Sequence, residues 1–300
     1  MKPNCSSRRA SALLLVLWAL LLLSSMVFGW AAWTQQGIAA HGEANRAAEA
    51  RAMAHSGLAI ALHPLVSRQT QIPEEQVSPG QSFRVRIVGE GGKLNVNWLI
   101  RGEDPMKLAI LRQWLTRRGL DYEQCSRFMD CLLDYVDADN VKRLNGAEDD
   151  GNYHPANREL RSVEELARVA GTAPLTSQPG WQDDLTVYSL GPIDLNAANA
   201  EILELLPGIG ETRARQFVQF RQGEDGVDGT ADDNLFPDIK SIQQFLKLND
   251  GQFQLLAPLV ANNDLTLHII SEGRSGNVTR QVETIVRKGA GKPQILSWKE

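Results

Sequence analysis

Four aspartates in one glycine-rich stretch are the residues best suited to chemistry. Asp225, Asp228, Asp232 and Asp233 lie within Gly223-Glu-Asp-Gly-Val-Asp-Gly-Thr-Ala-Asp-Asp-Asn234. A hard cation such as Ca2+ takes roughly six to eight oxygen ligands, and a loop with this many carboxylates and glycines can wrap around one. The spacing departs from the EF-hand pattern, so that motif adds no support. A second acidic stretch, Val136 to His154, holds Asp137, Asp139, Glu148, Asp149 and Asp150. It can join the first or form a site of its own. The plain alternative is a pair of solvated acidic loops on a chain of net charge −5. Against that alternative, long irregular loops in a compact domain want an explanation.

A second candidate is the turn Leu206-Pro-Gly-Ile-Gly210 between two helical stretches in Asn196–Gln222. In DNA-binding helix–hairpin–helix units such glycines let backbone N–H groups approach a phosphate beside a helix N-terminus. Basic side chains then add counterion release. Here Arg213, Arg215 and Arg221 are outweighed by Asp194, Glu201, Glu204 and Glu211. A tight turn between packed helices, with glycine needed for its backbone conformation, is the better reading. No nucleic-acid partner is expected.

Other chemistry finds little support. The five histidines, His41, His55, His63, His154 and His268, are scattered, and no pair has zinc-ligand spacing. No Ser/His/Asp or Cys/His motif and no phosphate-cradling loop occurs, so an enzyme is not expected. Cys125 and Cys131, six apart on one helix, face different ways and read as two small core thiols. A disulfide is the alternative if Cys125 precedes the helix.

The elements that must position these residues begin with a membrane-length run. No charged residue occurs from Ala10 to Gly42, while Lys2, Arg8 and Arg9 precede it. Ser11 to Trp33 is long enough for the roughly 20 apolar residues that cross a bilayer. Trp30 and Trp33 sit where interfacial anchors lie, and the basic flank sets the N-terminus inside. A cleaved secretory signal has a shorter apolar region. The alanine-rich stretch Glu43–Leu62 carries apolar positions at helical steps with no proline before Pro64, so one helix is expected to run on into a soluble domain.

Beyond it, Val66–Gln81 reads as a loop. Ser82–Val88 and Lys93–Trp98 alternate with period two around Gly89–Gly92, which predicts a hairpin. Pro105–Arg118 and Glu123–Tyr135 are amphipathic helices. Ser162-Val-Glu-Glu165 has a capping-box pattern that predicts a helix start. Short helices follow at Ser241–Leu248 and Gly251–Leu259. A second hairpin, Thr266–Ile270 with Val278–Val286, precedes a last strand at Gln294–Trp298. Strands separated by a long run of helices predict a helical domain inserted in a sheet domain, an α+β arrangement.

Four segments in order carry a family likeness. They are the basic leader before Ser11-Ala-Leu-Leu-Leu-Val16; Leu133-Asp-Tyr-Val-Asp-Ala-Asp139 with Gly146-Ala-Glu-Asp-Asp150 and Tyr153; Asn157-Arg158 with Ser162-Val-Glu-Glu-Leu-Ala-Arg-Val-Ala-Gly171; and Ile193-Asp-Leu-Asn-Ala-Ala-Asn199 with the hairpin after it. With the closing strands, the chain resembles the minor pseudopilin K family of type II secretion systems (general secretion pathway protein K).

The resemblance implies a pilin-like long helix on an antiparallel sheet, with an inserted all-α domain of SAM-like, helix–hairpin–helix type. The expected layout is a prepilin leader (1–10), a transmembrane helix (11–33), the pilin-like helix and first hairpin (34–98), the inserted domain (99–263) and closing strands (264–300). Prepilin peptidase is expected to cut Ala10–Ser11 and methylate Ser11; the family usually has Gly where this chain has Ala10. Leu13, Leu14, Leu15 and Leu17 are expected to pack against neighbouring helices. Leu15 stands where other pseudopilins carry a Glu, which suits an end position in the filament. The resemblance also implies calcium in the inserted domain, I-like and J-like minor pseudopilins as partners, and a single pass through the bacterial inner membrane with the bulk in the periplasm. The alternative is a membrane-anchored periplasmic DNA-binding protein that uses the hairpin.

Overall fold

The apolar run and the alanine-rich stretch after it form one helix. In the computed structural model, which describes residues 6–70, 72–289 and 291–300, helix α1 runs over Ser6–Ala61. The side chains of residues 6–13 and 35–41 lie outside the description. At 1.5 Å per residue α1 is about 84 Å long. Leu14–Thr34 is long and apolar enough to cross a membrane, and among the described residues none of that window is buried.

The far half of α1 lies on an antiparallel sheet. Strands β1 (Glu75–Ser78) and β2 (Gln81–Gly89) precede the helical region, which begins with β3 (Leu94–Asn95) and the short helix α2 (Val96–Ile100). Helices α3 (Pro105–Arg117) and α4 (Tyr122–Val136) follow, then α5 (Ala173–Thr176), β4 (Leu185–Thr186), β5 (Ile193–Asp194), α6 (Ala200–Leu203) and α7 (Gly210–Arg221). Helices α8 (Ile239–Leu246) and α9 (Asp250–Leu256) and strand β6 (Val260–Ala261) complete the region. The chain then returns to the sheet as β7 (Thr266–Ser275), β8 (Val278–Arg287) and β9 (Gln294–Lys299). The five-stranded order is β1-β2-β7-β8-β9, so β2 and β7 pair side by side although the whole helical region lies between them in sequence.

Two cores result. Ala54, Leu58 and Ala61 of α1 bury against Phe83, Val85, Ile87, Leu267, Ile269, Val282 and Val286 of the sheet. Each large apolar side chain buried there contributes about 1.5–3 kcal/mol. The second core lies within the helical body and includes Leu111, Trp114, Phe128, Leu132, Leu166, Ile202 and Phe217. The helix–sheet contact is close because small residues face each other. A Cβ on Gly57 would sit 2.5 Å from Ser271 Oγ, and one on Gly273 would sit 2.0 Å from Ala50 O. Ser271 Oγ donates to Ala54 O at 2.7 Å, and Lys288 Nζ donates to the carbonyls of Ala61, His63 and Val66 at the end of α1. A cation there also meets the negative end of the helix dipole.

The two chain crossings between sheet and helical body are tightly filled. The 3-10 turn Glu90–Gly92 is buried, and a Cβ on Gly92 would sit 2.3 Å from the carbonyl carbon of Ala197. Asp194, 2% exposed, accepts from the Asp264 and Asn196 amides and lies 3.5 Å from Arg68. Burial pushes its carboxyl up, and the Arg68 guanidinium opposes that shift.

Three local expectations fail. The hairpin of Ser82–Val88 with Lys93–Trp98 does not form. Strand β2 pairs instead with β1, inside the stretch read as a loop, and with β7. Leu94–Asn95 pairs in parallel with β4, and the Asn95 side chain accepts from Trp98 N to start α2. The alternation misled because all of Leu94–Asn97 is buried, with Asn95 donating to Ser189 O and Asn97 to Leu160 O. After Ser162 the chain makes a 3-10 helix without a side-chain cap rather than a capped α-helix, although Leu166 and Val169 do point inward.

Candidate metal centre

Helix α4 positions the acidic cluster. Its N-terminus is fixed by a reciprocal capping box between Asp121 and Gln124, and its strongly one-sided face buries Phe128, Met129, Leu132 and Tyr135. That burial fixes the rotation of the helix and turns Asp134 inward, where its side chain is fully buried. Asp137 follows as the C-cap residue. The chain then loops back. A Cβ on Gly146 would lie 1.8 Å from Asp134 Oδ2, so only glycine permits this return, which brings Glu148 to the cluster.

Asp134, Asp137 and Glu148 each offer a carboxylate oxygen, all within 4.8 Å of one another. Asp137 Oδ1 and both oxygens of Glu148 are shut off from solvent without a hydrogen-bond partner. Burial, and then the charges of Asp134, Asp137 and Asp139, pushes the Glu148 carboxyl up. One internal cation is present: Arg143 Nη1 donates to Asp134 Oδ1 at 2.7 Å and to Asp137 Oδ2 at 2.5 Å, and Nη2 to Glu103 Oε1 at 2.8 Å. Three carboxylates against one guanidinium leave a net negative, water-poor site. Unpartnered buried anions of this kind are costly unless a cation joins them. The donors are oxygens only, which suits a hard cation of the calcium or magnesium class rather than zinc or copper.

The other expected ligands of this stretch lie outside the cluster. Asp139 Oδ1 accepts from Val141 N at 2.7 Å. Asp149 accepts from Gly151 N and faces His154 Nδ1 at 2.9 Å, a hydrogen bond that holds its carboxyl below the usual range. Asp150 accepts from the amides of Asn152 and Tyr153. Sequence reasoning missed Asp134 as a ligand. The signal was its three-residue spacing from Asp137, which stacks the two on one face at the helix end.

The Gly/Asp loop is organised by protein donors. Asp225 Oδ1 accepts from Val227 N, and Asp233 Oδ2 from Gly229 N. Asp232 Oδ2 accepts from the amides of Glu224 and Asp225, and Oδ1 from Thr230 Oγ1. The Thr230 hydroxyl and then the Asp225 amide hold the Asp232 carboxyl at about 2. Asp228 Oδ1 accepts from Arg221 Nε at 2.9 Å and pairs with its Nη2 at 2.8 Å. Arg221 is 1% exposed, and its Nη1 also donates to Leu195 O and Ala198 O. In this loop a buried guanidinium pairs with Asp228, one of the four expected ligands. The loop does not meet the Asp134 cluster: among the described residues, the three-carboxylate grouping holds only Asp134, Asp137 and Glu148.

The hairpin is a packing turn in its contacts. Gly208 and Gly210 have φ of 82° and 63°, as left-handed turn positions require. Leu205, Leu206 and Ile209 are buried, Asn199 caps α6, and Arg213 Nη1 donates to Gly208 O. Arg215 pairs with Glu211. The arginines beside the turn thus serve protein acceptors. Cys125 and Cys131 are buried free thiols.

On α1, Leu14, Leu15 and Leu17 are 58%, 71% and 54% exposed, as a helix surface without a neighbour would be. The side chains of Ala10, Ser11 and Leu13 lie outside the described residues.

Known proteins resemble the chain in sequence over part of its length and in fold. A family model described as type II secretion system (T2SS), protein K matches residues 92–178. The type II secretion system protein K of Dickeya chrysanthemi is 39% identical over 69 residues, 22% of this chain and 20% of that protein. Its counterpart in Pseudomonas aeruginosa is 28% identical over 170 residues, 52% and 49% of the two chains. The matched parts span half or less of those relatives. A chain of the crystal structure of the GspK-GspI-GspJ complex from the enterotoxigenic Escherichia coli type 2 secretion system superposes with a TM-score of 0.58 at 13% identity, covering 89% of this chain and 98% of that one. At that identity the likeness concerns the fold.

Proposed function

We propose that the chain is a member of the type II secretion system protein K family, a minor pseudopilin whose work is assembly rather than catalysis. One observation carries the reading. A single helix passes from a membrane-length apolar segment onto an antiparallel sheet, and the sheet bears a bulky helical body between two adjacent strands. Such a subunit can pack its exposed Leu14–Thr34 surface against other helices, first in the inner membrane and then in a filament. The helical body would hinder a further subunit from stacking above it, which suits the periplasmic tip. The lack of a carboxylate at Leu15 fits the same place, since no partner amine below is then required. I-like and J-like pseudopilins are the proposed lateral partners, and prepilin peptidase the processing enzyme. Mass spectrometry of the mature chain tests this. N-methylated Ser11 is the expected terminus, and a cut near Ala31 or Ala32 would refute the filament role.

The Asp134, Asp137 and Glu148 cluster is proposed to hold one calcium ion that ties the end of α4 to the loop reaching Glu148. When bound, the ion would neutralise the carboxylates and so stabilise the folded loop. Stabilisation by a ligand at a hundredfold excess over its Kd is about 2.7 kcal/mol. The chelated full-length protein in detergent is therefore expected to gain several degrees in Tm when calcium is restored. Glu148→Gln should lose most of that gain. A Tm indifferent to calcium in the unaltered protein would end the proposal.

A further inference from the structure

Outside the acidic cluster, one buried side-chain acceptor among the described residues is left without a donor. Glu90 Oε2 accepts no hydrogen bond, and the Glu90 side chain is 2% exposed. Such an acceptor costs free energy unless a donor reaches it. Lys93 Nζ stands 3.2 Å away but out of hydrogen-bond line, and His268 Nδ1 stands 3.9 Å away. Glu90 lines a cleft of about 280 Å3 between the helical body and strands β7, β8 and β9.

The walls of the cleft carry a particular chemistry. His268 and Glu283 alternate with Leu267, Ile269 and Val282 of the core under α1, so they belong to the opposite face of the sheet. Glu283 Oε2 lies 3.5 Å from His268 Nε2. Glu164 pairs with Lys299, whereas among the described residues Asp183 and Glu283 pair with no lysine or arginine. Four carboxylates thus face two ammoniums, Lys93 and Lys299. Arg287, whose Nη2 donates to Tyr188 O beside the cleft, adds a third cation and still leaves the acids in excess. Burial holds the His268 imidazole below its usual range, so it adds no charge at neutral pH. Val163, Leu185 and Ile285 supply apolar wall, and Tyr188 an aromatic ring. An arginine side chain uses all of these. Its planar fork donates in several directions, its face stacks on a ring, and its methylene stem lies along apolar surface. An ammonium offers no such plane.

We propose that this cleft is a socket for a guanidinium group, presented as an arginine side chain by a partner polypeptide that docks where the sheet meets the helical body. A free guanidino compound is the other source of the same chemistry, and the test separates the two.

Binding is measured on the full-length, detergent-solubilised protein, with calcium present throughout to keep the probe from the cluster at the end of α4. The probe is a capped alanine-arginine-alanine tripeptide, and titration calorimetry reads its Kd. The same peptide with citrulline for arginine keeps the shape and loses the charge. It should bind at least about tenfold more weakly. Glu90→Gln and Glu283→Gln should each weaken the arginine peptide by about tenfold. Glu123→Gln removes an exposed acid on α4 and should leave its Kd within about threefold. Equal weakening by Glu123→Gln would mean general attraction to an acidic surface and would overturn the proposal. Equal affinity for the arginine and citrulline peptides, or no binding of either, overturns it too. If Glu90→Gln proves unfolded by circular dichroism, Glu283→Gln decides alone, because that side chain is 33% exposed and tolerates the change. An unmoved Kd there overturns the socket. Agmatine, a free guanidino compound, should bind no more tightly than the peptide, and a Kd about tenfold lower overturns the polypeptide source.

Discussion

Gly273→Val is expected to unfold the helix–sheet module. Valine suits a strand, so local propensity would favour the change. The tertiary contact reverses that sign. A Cβ at this position would sit 2.0 Å from Ala50 O and 2.2 Å from Ala54 N. Both are backbone atoms of α1, so no side chain can rotate away. Overpacking that a core can absorb costs about 1–3 kcal/mol. Here α1 must lift from β7, and the contacts of Ala54, Leu58 and Ile269 go with it. A loss of about 3 kcal/mol or more is expected. Gly42→Ala is the control, because a Cβ there meets nothing within 4 Å on the same helix. It should stabilise by roughly 0.5–1 kcal/mol, the usual gain of alanine over glycine in a helix interior. Urea denaturation of the full chain in detergent separates the two. A Gly273→Val midpoint equal to that of the unaltered protein would show that the close helix–sheet approach is wrong.

Arg221→Met should damage the helical body nearly as much. The side chain is among the largest of those fully buried, and it binds two main-chain carbonyls as well as Asp228. Methionine fills much of the volume but leaves Leu195 O and Ala198 O without a donor. An orphaned buried acceptor costs about 1–3 kcal/mol, so a loss of about 3 kcal/mol is expected. Asp228 is half exposed and can turn to water. Asp228→Asn keeps an acceptor for the buried guanidinium and removes only the charge, so it should cost less than Arg221→Met. The comparison tests whether Arg221 acts through the backbone or the carboxylate. Equal losses from the two variants would refute the backbone account.

These variants mark where sequence reasoning succeeded and where it stopped. The long helix, the two amphipathic helices, the second hairpin and the last strand were legible because each repeats a simple period over enough residues. The first hairpin was misread because six alternating residues look the same whether one face or both faces are buried. Asn95 and Asn97 looked like solvent-facing strand positions, and they satisfy buried backbone groups instead. Arg221 entered the sequence reading only as one of three arginines flanking a hairpin turn. Its burial depends on Leu195 and Ala198, over twenty residues earlier, and no local pattern contains that contact.

The acidic loops show the same limit in the chemistry. Composition alone identified both loops as rich in carboxylates, and it ranked the Gly/Asp loop first. It could not tell which carboxylates find protein donors. In the Gly/Asp loop, Thr230, four backbone amides and Arg221 occupy them. At the end of α4, the return over Gly146 leaves Glu148 and Asp137 with oxygens facing no donor.

The sequence by itself determined the membrane-length helix, its continuation and the α+β order, because those follow from runs and periods along one stretch of chain. The tertiary structure decided the strand pairing across the helical body, the close approach of α1 to the sheet and which acids stand unpartnered. Those depend on groups distant in sequence meeting within a few ångströms, where hydrogen-bond partners and excluded volume, not residue type, settle the outcome.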